Sequence, residues 1–144
     1  MGKLQESPPC LHRAQFDTIS AIANSTPGYI QELCGAIWDE TASGSAIDSA
    51  TIERALNAVF LREQDLFSTF MRHLTALQAR ILRSVATLGG KSVCSKEFLA
   101  ASATYNASSV KVALAKLEKA QLIYWFDGDY RFVNPFFREW LKRL

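Results

Sequence analysis

The sequence predicts a mainly helical protein that closes on one β-hairpin and a last helix. Two observations carry this. Apolar residues recur every three or four positions through most of the chain. The period changes only at LIYWF and DYRFV, two aromatic and β-branched runs joined by Asp127-Gly128, a pair that favours a two-residue hairpin turn.

Residues 1–11 are polar and read as a loose leader. From His12, Phe16, Ile19, Ile22 and Ala23 mark a first helix that Asn24-Ser25 should end. Thr26-Pro27 opens a second: threonine is placed to cap free N–H groups, and proline at the first helical position loses no bond. Tyr29, Ile30, Leu33, Cys34, Ile37 and Trp38 share its apolar face. The polar run 41–45 is a loop. Asp48 or Ser49 caps a third helix with the stripe Ile52, Ala55, Leu56, Val59 and Phe60, while Leu66, Phe67, Phe70 and Met71 make a fourth short helix or an extension. Residues 12–69 thus read as a helical bundle and 70–144 as a second domain.

The second domain begins with Thr75 and Gln78, spaced as a capping box, ahead of Leu77, Ile81, Leu82, Val85 and Leu88 at helical spacing. The next stretch, LGGKSV at residues 88–93, ends like a phosphate-binding loop. Such a loop needs a glycine five residues before its second one, and here that position is Val85. It must also leave a strand, and a helix precedes it. Gly89 is expected to end that helix in the left-handed conformation. Ser95 is placed to cap a short helix with Phe98 and Leu99, and Asn106 or Ser108 starts the next, whose Val110, Ala113, Leu114 and Leu117 face a core. After the hairpin, Asn134 caps and Pro135 opens a final helix with Phe136, Phe137, Trp140 and Leu141. Helix, helix, helix, hairpin, helix is the order of a winged helix.

Charge divides the chain. Residues 1–69 hold four Lys and Arg against nine carboxylates, and residues 70–144 hold twelve against five. A basic half suits a polyanion and an acidic half suits protein. In a helix-turn-helix the third helix enters the major groove. Here that helix carries Ser108 and Ser109 at its N-terminus, where hydroxyls, free N–H groups and the helix dipole can meet a phosphate. Lys111, Lys116 and Lys119 follow on the outward face, and Arg131 on the return strand is within reach of the adjacent groove or backbone. Lysines position more than they specify, so modest sequence selectivity for double-stranded DNA is expected. Trp125, Phe126, Tyr130, Phe132, Phe136, Phe137 and Trp140 read as core rather than a base-stacking platform, with Trp125 also a candidate for an interface.

Other classes find little support. His12, His73 and the three cysteines have no metal-ligand spacing and no evident catalytic partner. Three free thiols, no metal and no active site are expected. No apolar run approaches the ~18 residues that span a bilayer, and the start lacks a signal peptide's apolar core. A cytoplasmic protein without membrane contact is the simplest reading.

Taken together, NSTPGYIQELCGAIW, IERALNAVF, LTALQARILRSVATLG, SSVKVALAKLEKAQLI and YRFVNPFFREWL resemble the C-terminal part of prokaryotic AAA+ ATPases of the STAND-like and archaeal type, a helical lid followed by a winged helix. The closing strand, Asn134-Pro135 and the Phe137-x-x-Trp140 helix are the most specific part. The resemblance implies an N-terminal ATPase core outside this chain, holding ATP and Mg, and a lid whose opening G-x-P element packs on the nucleotide base. The matching positions are Ser25, Thr26 and Pro27, with serine where the family has glycine. It implies a non-catalytic segment in which Thr26 and Pro27 sense nucleotide while the winged helix binds duplex DNA. Two alternatives stay open: a self-contained winged-helix regulator whose N-terminal helices make a homo-oligomer, and a protein-interaction winged helix of a signalling ATPase.

Overall fold

The computed structural model describes residues 12–41 and 45–144. The leader and part of the 41–45 loop lie outside them, as does Cys10. The described residues form seven helices and one two-stranded antiparallel sheet, in two compact units, Met1–Gln64 and Asp65–Leu144.

In the first unit, α1 (Arg13–Ile22) packs on α2 (Pro27–Glu40). The turn between them holds Asn24 and Ser25 at φ 52° and 53°, a left-handed pair that halts α1 without glycine. Thr26 takes the N-cap position of α2 but makes no side-chain cap. Its hydroxyl instead donates to the Asn24 carbonyl at 3.2 Å, so the capping expected from the sequence is not made. Asp48 does cap α3 (Ser49–Arg72), accepting from the Thr51 amide and hydroxyl at 2.8 Å each. Those bonds, the Thr51 amide first, hold its carboxyl below the usual range. Leu33, Ala36, Ile37, Ile52, Ala55, Leu56 and Val59 are buried.

No Gly or Pro interrupts residues 49–72, and α3 runs unbroken through both stripes read from the sequence. Its last turns, from Asp65, belong to the second unit. Phe67 is fully buried there, its ring 5.2 Å from Phe137 and 5.6 Å from Trp140. That aromatic packing draws residues 65–69 into the unit, whereas the sequence reading began it at residue 70.

The second unit continues with α4 (Ala76–Leu88), α5 (Lys96–Ala101), α6 (Ala107–Lys119), β1 (Ile123–Phe126), β2 (Asp129–Phe132) and α7 (Pro135–Lys142). α4 is the hub, packing on α5, α6 and α7. Its capping box is complete: the Gln78 amide donates to Thr75 Oγ1 at 3.2 Å, and the Thr75 amide donates to Gln78 Oε1 at 3.0 Å. Asn134 accepts from the Phe136 and Phe137 amides at 2.9 and 3.4 Å, with Pro135 at the first helical position of α7. Asp127 and Gly128 turn the hairpin at φ 51° and 77°, the two positive angles of a type I′ turn. The register pairs Ile123 with Phe132, Tyr124 with Arg131, Trp125 with Tyr130 and Phe126 with Asp129.

LGGKSV closes α4 and leads towards α5. Gly89 has φ 88° and ψ 169°, the extended positive-φ region open essentially to glycine alone, instead of the left-handed helical conformation expected of it. Gly90 serves a different purpose. Its carbonyl accepts from the Tyr130 amide at 3.1 Å, and a Cβ at this position would meet the Tyr130 carbonyl oxygen and lie 2.6 Å from its nitrogen. The chain after α4 therefore runs against β2 like a rudimentary third strand. Only a residue without a side chain fits there.

Glu139 is buried in α7 and meets Arg138 at 3.1 Å, Lys142 at 3.2 Å and Arg143 at 3.4 Å. Burial pushes its carboxyl up, but Lys142 and Arg138 more than offset that and hold it below the usual glutamate value.

Candidate nucleic-acid interface

The helix that carries the candidate site is placed by its own pattern. Val110, Ala113, Leu114 and Leu117 of α6 are buried. At 100° per residue, Ser108, Lys111, Val112, Ala115, Lys116 and Lys119 then fall within roughly 140° of the opposite circumference. All six are exposed. Lys111, Lys116 and Lys119 form no ion pair among the described residues, so their charge is available to a ligand. Glu118, also exposed, is the single carboxylate of the helix.

The start of α6 departs from expectation in one respect. Asn106 is the N-cap, and its Oδ1 accepts from the Ser108 amide at 2.9 Å, so that N–H is not free for a phosphate. The hydroxyls of Ser108 and Ser109 remain, Ser108 exposed and Ser109 half-buried.

Packing of α4 on α6 opens a groove of about 350 Å³ beside this face. Ser108, Ser109, Val112 and Lys116 line one side, and Thr75, Leu77 and Gln78 line the other. Gln78 accepts through Oε1 within the capping box, which leaves its amide NH₂ for a ligand. Thr75 and Gln78 went unnoticed as site residues in the sequence, where the same capping box signalled only a helix start. Lys111 and Lys119 extend the cationic face without lining the groove.

Arg131 on the wing has partners within the hairpin. Its Nε donates to Asp129 Oδ2 at 3.3 Å and its guanidinium stands over the Phe126 ring, 4.7 Å from the centroid. Alternation puts Tyr124, Phe126, Asp129 and Arg131 on one face of the hairpin, where Phe126 is 55% exposed. Trp125 on the other face meets Tyr130 edge-on at 4.8 Å yet stays 51% exposed. Phe132, Phe136 and Phe137 are core, as read from the sequence; Trp125 and Phe126 are not, because the hairpin reaches beyond the helices that cover Ile123 and Phe132.

Thr26 and Pro27 lie in the first unit at the start of α2. The Thr26 hydroxyl is engaged by the Asn24 carbonyl, and Pro27 occupies the first helical position. Cys34 and Cys94 are free thiols.

Three helices, a hairpin and a closing helix around α4 make up the second unit, and residues 65–143 match the family described as "Probable winged helix domain". The chain belongs to this winged helix family. Winged helices commonly bind DNA or serve regulation, and α6 is the last helix before the hairpin in this one. No curated protein and no solved structure matches the chain. Among the described residues no helix is long and apolar enough to cross a membrane.

Proposed function

We propose that the winged helix binds double-stranded DNA through α6. The observation that carries this reading is the exposed face of Lys111, Lys116 and Lys119, without carboxylate partners among the described residues and bordered by the Ser108 and Gln78 groove. At 1.5 Å per residue the helix is about 20 Å long, enough to lie in a major groove about 12 Å wide. Lysines and hydroxyls fix register on the backbone, while the exposed Val112 offers apolar contact to a thymine methyl. Modest sequence selectivity follows. In a Lys111→Ala, Lys116→Ala, Lys119→Ala variant most affinity for a short duplex should vanish; binding equal to wild type contradicts the reading.

We further propose that the chain is a C-terminal part of an AAA+ ATPase, with the acidic helices α1 to α3 acting as a lid. The support is the order of elements and the Ser25-Thr26-Pro27 start of α2. On this reading ATP and Mg belong to a core beyond these residues and the chain itself is not an enzyme. Measurable ATP turnover by the 144-residue chain contradicts it. A protein-binding winged helix is favoured by one feature, the exposed Tyr124, Trp125 and Phe126 of the wing; a chain that ignores duplexes at low salt would leave that alternative standing.

A further inference from the structure

The second unit carries more cations away from α6 than on it. Arg80 and Arg83 of α4 and Lys142 of α7 line a cavity of about 360 Å³ together with Ser84, Thr87, Ala101, Leu141 and Leu144, the last residue of the sequence. It shares no lining residue with the α6 groove. Residues 80, 83, 84 and 87 follow the spacing that aligns side chains along one helical face; Arg80, Arg83 and Thr87 are exposed, while Ser84 is buried with Ile81, Leu82, Val85 and Ala86. The cations are held in different ways. Arg80 donates from Nε to the Ser102 carbonyl at 3.0 Å, which fixes the guanidinium and leaves its terminal nitrogens as donors. Arg83 has no side-chain partner among the described residues. Lys142 shares Glu139 with Arg138 and Arg143, so the one buried carboxylate nearby is outnumbered three to one.

Two guanidiniums and an ammonium around one concavity are the donor set that recognises phosphate oxygens, and arginine's fork does so in bidentate fashion. We propose that the cavity between α4 and α7 is a second anion site of this protein, taking phosphate groups. The site stands on its own residues and does not depend on the DNA reading of α6. Two sources supply such a group: the phosphodiester backbone of a nucleic acid, or a free phosphate compound.

The test uses the full 144-residue chain and two probes, inorganic pyrophosphate followed by NMR and a short DNA duplex followed by fluorescence anisotropy. Arg83→Gln is the first variant, because an exposed, unpaired side chain can be changed without disturbing the fold. Pyrophosphate should shift the Arg80 and Arg83 Nε–H signals, and Arg83→Gln should weaken it about tenfold, the size expected for one charge-assisted contact. The Lys111→Ala, Lys116→Ala, Lys119→Ala variant should bind pyrophosphate as wild type does. If Arg83→Gln also lowers the salt slope of duplex binding by about one unit, the source is a nucleic-acid backbone; a response to pyrophosphate alone assigns a free phosphate compound. A chain that binds pyrophosphate through Arg83 but no duplex keeps this site and refutes the α6 reading. Absence of pyrophosphate binding, or equal binding by Arg83→Gln, overturns the proposal.

Discussion

Replacing Gly90 with alanine tests whether the loop after α4 is locked to the wing. The added methyl would meet the Tyr130 carbonyl oxygen and stand 2.6 and 2.7 Å from its nitrogen and carbonyl carbon. These are backbone atoms of a paired strand, so no rotamer change relieves the clash. Relief requires the loop and β2 to part, which breaks the 3.1 Å bond from the Tyr130 amide to the Gly90 carbonyl. Overpacking of this kind costs about 1–3 kcal/mol and the hydrogen bond about 1 kcal/mol. The sum is about 2–4 kcal/mol, or roughly 8–30 °C in Tm for a unit of this size. Urea and thermal unfolding followed by tryptophan fluorescence measure it, with Trp125 and Trp140 reporting on the second unit. A variant within about 0.5 kcal/mol of wild type, the usual range of neutral surface changes, refutes the third-strand contact.

Gly35→Ala should act in the opposite direction. Gly35 lies inside α2, is exposed, and has nothing within 4 Å of a new Cβ, so calorimetry should show a gain of about 0.5–1 kcal/mol. Asn134→Ala removes the acceptor for the Phe136 and Phe137 amides and should cost about 1 kcal/mol in urea unfolding. Glu139 makes stability depend on pH. Its folded pKa is depressed, so its contribution is present above the unfolded glutamate value of about 4.3 and is lost as pH falls through the lower folded value. Urea midpoints measured from neutral to acid pH should therefore fall more steeply for wild type than for Glu139→Gln.

The parts of the fold that are local in cause were readable in the sequence. The apolar spacing of Val110, Ala113, Leu114 and Leu117 fixed which face of α6 is outward, Asp127-Gly128 announced the hairpin, and Thr75, Ser95 and Asn134 act as caps where their positions suggested. Features that need two distant segments were hidden. Gly90 drew no reading of its own because nothing in LGGKSV points to Tyr130, forty residues on. Gln78 joins the α6 groove only through the packing of α4 on α6. The engagement of Arg131 is an intermediate case: with the turn at Asp127-Gly128 the register places Phe126 and Asp129 on its own face, so the neighbours were derivable although their grip on the guanidinium was not. Thr26 shows the reverse failure, since a residue suited to capping turned its hydroxyl back to Asn24.

The most direct test of the central claim is the salt dependence of duplex binding by the wild-type chain and the Lys111→Ala, Lys116→Ala, Lys119→Ala variant. Each phosphate neutralised contributes roughly −0.9 to the slope of log K against log salt. Three lysines on the face of α6 therefore predict a variant slope shallower by about 2.7, with affinity lost most at low salt. Equal slopes and equal affinities for the two proteins would contradict the account.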